Sequence, residues 1–104
     1  MRHRYLTVPY NEKGVQEYNH GIEKSENLYT VALPEEEFAA LVTPFRLINK
    51  ECDLMIDDYE STTIAAEHLK KCQSIIANAQ ENTPVFTKAL ETAIQYNTML
   101  ALDF

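Results

Sequence analysis

The chain has 104 residues, 45% of them hydrophobic, and a net charge of −7, which fits one small folded domain rather than a disordered segment. Nine lysines and arginines against sixteen acids argue against binding to polyanions, so neither nucleic acid nor an anionic membrane surface is an expected partner. Two glycines argue against glycine-rich phosphate loops, and no apolar run approaches the ~20 residues of a membrane span.

The negative charge is concentrated in the middle of the chain. Residues 25–60 carry nine acids and two bases, whereas the segments before and after them are nearly neutral. This asymmetry predicts an acidic surface that suits a basic partner. The first residues lack the apolar run of a signal peptide, so we expect a cytoplasmic location in which both cysteines stay reduced.

The first third of the chain predicts two strands. Alternation over residues 4–8, ended by Pro9, is typical of a strand. Residues 11–21 fit either a short helix, capped by Asn11 and ended by Gly21, or an ordered loop, because Gly14 weakens a helix. Residues 28–33 are rich in β-branched and aromatic side chains and predict the second strand.

An apolar stripe with helical spacing follows Pro34. Its members recur every three or four residues, namely Phe38, Leu41, Phe45, Ile48, Cys52, Met55 and Tyr59. Three glutamates fill the first turn, where they complement the helix dipole. Pro44 interrupts the stripe, so either one helix kinks there or two helices meet at Thr43. The second option is favoured because a Thr-Pro pair also begins a helix at Thr83, and we predict helices over residues 35–42 and 44–56.

The rest of the chain predicts a helix over residues 63–79, a helix over residues 83–97 and a strand over residues 98–103. Because strands lie at both ends of the sequence, we expect the α+β class. Residues 1–104 should form a single small domain, with a two- or three-stranded sheet built from the terminal segments. About three helices should pack on one face of that sheet, which should leave an edge at residues 99–104.

No arrangement of residues predicts catalysis, a cofactor or a metal. A calcium loop starting at Asp58 fails, since the position that needs glycine holds Thr63. We interpret the polar cluster from Asp57 onward as a solvated loop whose serine and threonines cap the next helix.

His68 and Cys72 share a helix face and could form one edge of a zinc site, but two ligands are a weak pattern. Cys52 lies on the apolar stripe, where burial raises the pKa of a thiol and lowers its reactivity.

Two functions are compatible with these features. The first is a non-enzymatic protein-binding module that presents an acidic face to a basic partner, in a toxin-neutralising or regulatory role for example. Its contact residues are predicted to be Asp57, Asp58, Tyr59 and Glu60. Tyr59 supports this prediction because tyrosine is enriched in protein interfaces. The alternative is a small ligand-binding or catalytic domain that acts as a homodimer through an exposed sheet edge.

Overall fold

The computed structural model describes residues 3–104, which form four strands and four helices. Their order is β1 (Tyr5–Pro9), α1 (Glu12–Asn19), β2 (Leu28–Ala32), α2 (Glu35–Cys52), β3 (Ser61–Ala65), α3 (Ala66–Ala79), α4 (Pro84–Tyr96) and β4 (Met99–Asp103). The predicted α+β class is confirmed. The described residues contain four strands where two or three were expected, and three of their four helices pack on one face of the sheet, as expected. Within the same residues, no helix has both the length and the hydropathy needed to cross a bilayer.

The sheet is antiparallel throughout and has the strand order β2-β1-β4-β3. The strands from the two ends of the chain, β1 and β4, form its central pair, with Leu6 opposite Leu102. The predicted edge at residues 99–104 is therefore wrong, because β4 lies between β1 and β3. The two edge strands are β2 and β3.

Strand β3 is the element that the sequence analysis missed. Residues 57–63 were expected to be a loop and residues 63–79 a helix, but Ser61–Ala65 is a strand paired with β4, and α3 begins only at Ala66. Its centre consists of Thr62, Thr63 and Ile64, three β-branched residues that favour extended backbone. The expectation that this serine and these threonines cap a helix is wrong, since α3 has no side-chain cap.

Helix α2 is continuous through Pro44, so the predicted division into helices 35–42 and 44–56 is wrong. A proline inside a helix costs about 3 kcal/mol. Packing offsets that cost, because Leu41, Phe45 and Ile48 are at most 5% exposed and face the common core. The helix ends at Cys52, where Asp53 takes a left-handed conformation with φ 54°. The chain from residue 53 onward therefore leaves the helical stripe.

Helices α2, α3 and α4 pack on the sheet face that carries Leu6, Val8, Ile64, Leu100 and Leu102, and their apolar faces complete one core. Helix α1 lies on the opposite face, where the hydroxyl of Tyr18 reaches Asp103 of β4. Residues 11–21 thus contain a helix rather than a loop, capped by Asn11, whose side chain accepts a hydrogen bond from Gly14 N–H at 2.8 Å. Gly14 itself is required there, since a Cβ atom would collide with the carbonyl oxygen of Asn27.

Candidate functional site

The polar cluster identified in the sequence lies in the connection between α2 and β3, which we call the α2–β3 loop (residues 53–60). Asp57, Tyr59 and Glu60 are exposed, whereas Asp58 is half-buried. The four predicted contact residues therefore share one loop, but they are not one uniformly solvated cluster. Asp58 has a structural partner.

That partner is Arg4, the residue just before β1. The two oxygens of Asp58 accept hydrogen bonds from Arg4 Nε at 3.1 Å and from Nη2 at 3.0 Å. This two-point geometry suits a guanidinium and a carboxylate and makes the pair stronger than a single contact. The charge of Asp58 is thus largely matched within the fold, and it contributes less to an acidic binding surface than the sequence suggested.

Arg4 is held by three neighbours and is only 7% exposed. Besides Asp58, its Nη1 donates to Glu35 at 2.9 Å, and its Cζ lies 3.8 Å from the ring centroid of Phe38. The hydrogen bond to Asp58 is the largest influence on the pKa of Arg4 and raises it, while burial acts in the opposite direction. The guanidinium therefore stays charged and fixes the loop to both β1 and α2.

A second set of contacts fixes the middle of the α2–β3 loop. The side chain of Asn49 donates to the carbonyl oxygen of Ile56 at 3.0 Å and accepts from the N–H of Ile56 at 2.7 Å. Ile56 is itself buried in the core, at 7% exposure. Thr62 adds a longer bond from its hydroxyl to the carbonyl oxygen of Met55 at 3.3 Å. The loop is therefore anchored to α2, to β3 and to the core.

The anchored loop exposes two large hydrophobic side chains. Met55 and Tyr59 are each 79% exposed, more than any other large hydrophobic residue described as exposed. Tyr59 also has φ 73°, a conformation that is uncommon for a bulky residue and costs roughly 1–3 kcal/mol. The helical stripe was predicted to continue through Met55 and Tyr59, and Tyr59 was also predicted to be a contact residue of the loop. Because α2 ends at Cys52, neither side chain belongs to the buried stripe.

The remaining acids of the middle segment divide into internal and exposed groups. Glu35 pairs with Arg4 but is 69% exposed. Glu37 is 5% exposed and accepts hydrogen bonds from the N–H groups of Val85 and Phe86, each at 3.1 Å. Glu37 therefore caps the start of α4, a role that no local pattern in the sequence indicates. The exposed acids of the α2–β3 loop are Asp53, Asp57 and Glu60.

A groove of about 970 Å³ lies on the sheet face that carries α1. It runs between β2 and the end of α1, and its lining includes Tyr5, Tyr18, Thr30 and Asp103. Burial, helped by the nearby charge of Asp103, raises the pKa of Tyr18 to about 12. Tyr18 is consequently a hydrogen-bond donor to Asp103 at neutral pH and has no basic form to offer for catalysis.

The two thiols are buried, as their helical pattern predicted. Burial is the main cause that raises the pKa of Cys72 to about 12, and the neighbouring Cys52 adds to it. Such a thiol is a poor nucleophile near neutral pH. His68 lies beside Glu67, at 3.8 Å between Nε2 and Oε1. Within residues 3–104, no group of three or more histidine, cysteine, aspartate or glutamate side chains is placed to hold a metal ion.

Comparison of the chain with protein-family models, curated proteins and solved structures gives no match.

Proposed function

We propose that the chain is a non-enzymatic protein-binding module that presents the α2–β3 loop to a basic protein, in a regulatory or toxin-neutralising role. The observation that carries this proposal is the exposure of Met55 and Tyr59, 79% each, on a loop held in place by part-buried hydrogen bonds. Three exposed acids of the same loop, Asp53, Asp57 and Glu60, set the charge of the preferred partner.

Interface energetics favour this arrangement. Tyrosine and methionine are enriched in protein interfaces, and a few aromatic anchors carry most of the binding energy. Because Asn49 and Arg4 already fix the loop, a partner would not have to order it, which removes part of the entropic cost of binding. The overall charge of −7 repels polyanions, so nucleic acid and membrane surfaces are not proposed as partners.

The anchors and the acids should affect different steps of binding. Truncating buried anchors weakens a complex mainly by speeding dissociation, whereas peripheral charges act mainly on association and are sensitive to salt. We therefore expect Met55→Ala with Tyr59→Ala to raise the dissociation rate by about tenfold or more. Asp57→Asn with Glu60→Gln should instead slow association at low salt and have little effect at high salt.

The test begins with affinity capture from the cell extract at low and moderate salt, followed by binding kinetics with the purified captured protein. Matched controls are Leu47→Ala, an exposed apolar side chain of α2, and the pair Glu81→Gln with Glu91→Gln, exposed acids near and on α4. Asp58 is left unchanged, because its removal would leave Arg4 without its main partner. If both loop variants bind as the controls do, the proposal fails.

Loop anchoring offers an independent test of the same proposal. Asn49→Ala leaves Met55 and Tyr59 chemically intact but removes both hydrogen bonds to Ile56. We expect affinity for the captured partner to fall by several-fold, since a loosened loop must be ordered on binding. Asn78→Ala, an exposed position on α3, is the control.

The second candidate is a small ligand-binding or catalytic domain that acts as a homodimer. The sheet edge predicted at residues 99–104 does not support the homodimer, because β4 lies inside the sheet. The groove on the α1 face favours the ligand-binding part of this candidate. Its volume of about 970 Å³ lies within the range of small-molecule sites, and Tyr18 and Asp103 provide converging polar groups. Light scattering tests the dimer, which should show twice the monomer mass at micromolar concentration. A ligand screen by thermal shift tests the groove, and Thr30→Trp should abolish any shift by filling it.

A further inference from the structure

The backbone of β3 can accept an additional strand on the side that faces away from β4. In an antiparallel pair, residues that exchange hydrogen bonds alternate with residues whose N–H and C=O groups point outward. Phe104 N–H donates to the carbonyl oxygen of Glu60, so the bonded positions continue at Thr62 and Ile64 by the register of the pair. The backbone groups of Ser61 and Thr63 therefore point away from the sheet.

The outward backbone groups of Ser61 and Thr63 are available for pairing with another strand in the described structure. Within residues 3–104, no backbone hydrogen bond outside the regular elements involves Ser61 or Thr63, and both side chains are exposed. Natural edge strands are commonly protected by proline, lysine, a bulge or a covering segment. The sequence of β3, Ser-Thr-Thr-Ile-Ala, contains no proline or charged residue.

The opposite edge of the sheet is less open to pairing. By the same alternation, Leu28, Thr30 and Ala32 direct their backbone groups outward from β2. The N–H of Leu28, however, already donates to the carbonyl oxygen of Ser25 at 3.2 Å. Strand β2 also lies far in sequence from the α2–β3 loop, whereas β3 follows that loop directly.

Charge decides between a foreign strand and a second copy of the chain. Glu60 precedes β3 and Glu67 follows it, and both are exposed. Antiparallel pairing of two copies about Thr63 would bring Glu60 of each copy next to the start of α3 of the other, where Glu67 lies. Like charges that meet in this way oppose self-association. The nearest bases in sequence are Lys70 and Lys71, and Lys71 lies 3.9 Å from Glu51.

We propose that the basic partner adds an extended segment to β3, pairing with the outward backbone groups of Ser61 and Thr63 and placing basic side chains near Glu60 and Glu67. This inference rests on the proposed function and specifies the conformation of the partner. Backbone pairing supplies affinity in such strand addition, and the flanking side chains supply specificity. The exposed ring of Tyr59, two residues before Ser61, provides the apolar contact at one end.

The experiment uses a short synthetic peptide in which lysine and valine alternate, and a control peptide with glutamate in place of lysine. Thr63→Pro removes one outward N–H and blocks pairing, while the bonds to β4 stay intact because they come from Thr62 and Ile64. Thr63→Val is the matched control with its N–H retained, and Thr30→Pro makes the corresponding change on β2. Each variant is first checked for native stability by urea denaturation.

We expect the lysine peptide to bind the native chain and the Thr63→Val and Thr30→Pro variants, with affinity at least about tenfold lower for Thr63→Pro. Amide hydrogen exchange on the native chain should show new protection at Ser61 and Thr63 and none at Thr30. This readout decides the question if Thr63→Pro does not fold. Binding that protects other amides, equal binding of the glutamate peptide, or dimerisation through β3 in light scattering would overturn the inference.

The two proposals can fail separately. If the captured partner is weakened by Met55→Ala with Tyr59→Ala but not by Thr63→Pro, the loop binds and strand addition is wrong. If Thr63→Pro weakens binding and the loop variants do not, β3 alone is the contact and the proposed role of the loop is wrong.

Discussion

Replacing Glu37 with alanine should destabilise the fold far more than the same change at its neighbour Glu36. Glu37 is 5% exposed and accepts from the N–H groups of Val85 and Phe86, each at 3.1 Å, at the start of α4. The N-cap residue of that helix, Thr83, makes no side-chain cap of its own. The carboxylate of one helix thus replaces the missing cap of another.

The expected size of the effect follows from these contacts. A hydrogen bond to a charged group contributes about 1.5–3 kcal/mol, and a buried donor left without a partner costs about 1–3 kcal/mol. Loss of a helix cap alone costs about 0.5–2 kcal/mol. These contributions overlap, and Val85 is only partly buried, so we expect Glu37→Ala to lower the free energy of unfolding by about 2–4 kcal/mol. Glu37→Gln should cost about half as much, because its amide oxygen can still accept one bond.

Urea denaturation followed by circular dichroism measures the change, and thermal melts provide a second readout at roughly 4–8 °C per kcal/mol for a domain of this size. Glu36→Ala is the matched control, since Glu36 lies in the same first turn and is exposed. It should change stability by less than about 0.5 kcal/mol. A loss below 1 kcal/mol for Glu37→Ala, or equal losses for the two variants, would refute the capping role.

Three further predictions concern charged and titrating groups. Arg4→Met should cost about 1–3 kcal/mol in urea, less than a fully buried pair because Asp58 is 28% exposed, and a loss under 0.5 kcal/mol would contradict this. Hydrogen bonds from Ser25, and to a smaller extent from Asn27, lower the pKa of Glu17. The ionised Glu17 therefore stabilises the fold above the pKa that this residue has in the unfolded chain, and this contribution disappears as pH falls. Ser25→Ala should raise the pKa of Glu17 in an NMR titration, and an unchanged value would exclude the bond. Tyr18 should ionise at about pH 12 in a tyrosinate absorbance titration. The stabilising effect of its protonated hydroxyl is present below about pH 10 and is lost as pH rises toward 12. This late phase should vanish in Tyr18→Phe.

Local patterns in the sequence predicted the elements that carry a clear local signal, namely alternation, β-branched composition or a capping Thr-Pro pair. The strands at residues 4–8, 28–33 and 98–103 and the helix start at Thr83-Pro84 agree closely with β1, β2, β4 and α4. The helix break at Pro44 did not occur, because burial of Leu41, Phe45 and Ile48 against distant elements outweighs the local cost of proline. Strand β3 was missed because its residues also suit a helix cap, and only pairing with β4 decides between the two.

The candidate site was predictable only in part, for the same reason. A polar loop around residues 57–60 followed from composition, but the fate of each acid depends on partners far along the chain. Asp58 bonds Arg4 across 54 positions, and Glu37 bonds Val85 across 48. No local pattern specifies such pairs, so an acid that binds within the fold and an acid that faces solvent look alike in the sequence.

Glu35, Glu36 and Glu37 show what this means for interpreting net charge. Glu35 pairs with Arg4 at the protein surface, Glu36 is exposed, and Glu37 is buried and caps another helix. The net charge still controls long-range attraction, because ion pairs within the fold leave the total of −7 unchanged. Direct contact with a partner depends on exposure, since only exposed groups can touch it. On the α2–β3 loop, Asp58 is paired with Arg4, and Met55 and Tyr59 are large hydrophobic side chains that are each 79% exposed. We therefore expect the acidic segment to attract the proposed partner, and Met55 and Tyr59 to supply most of the affinity of the loop contact.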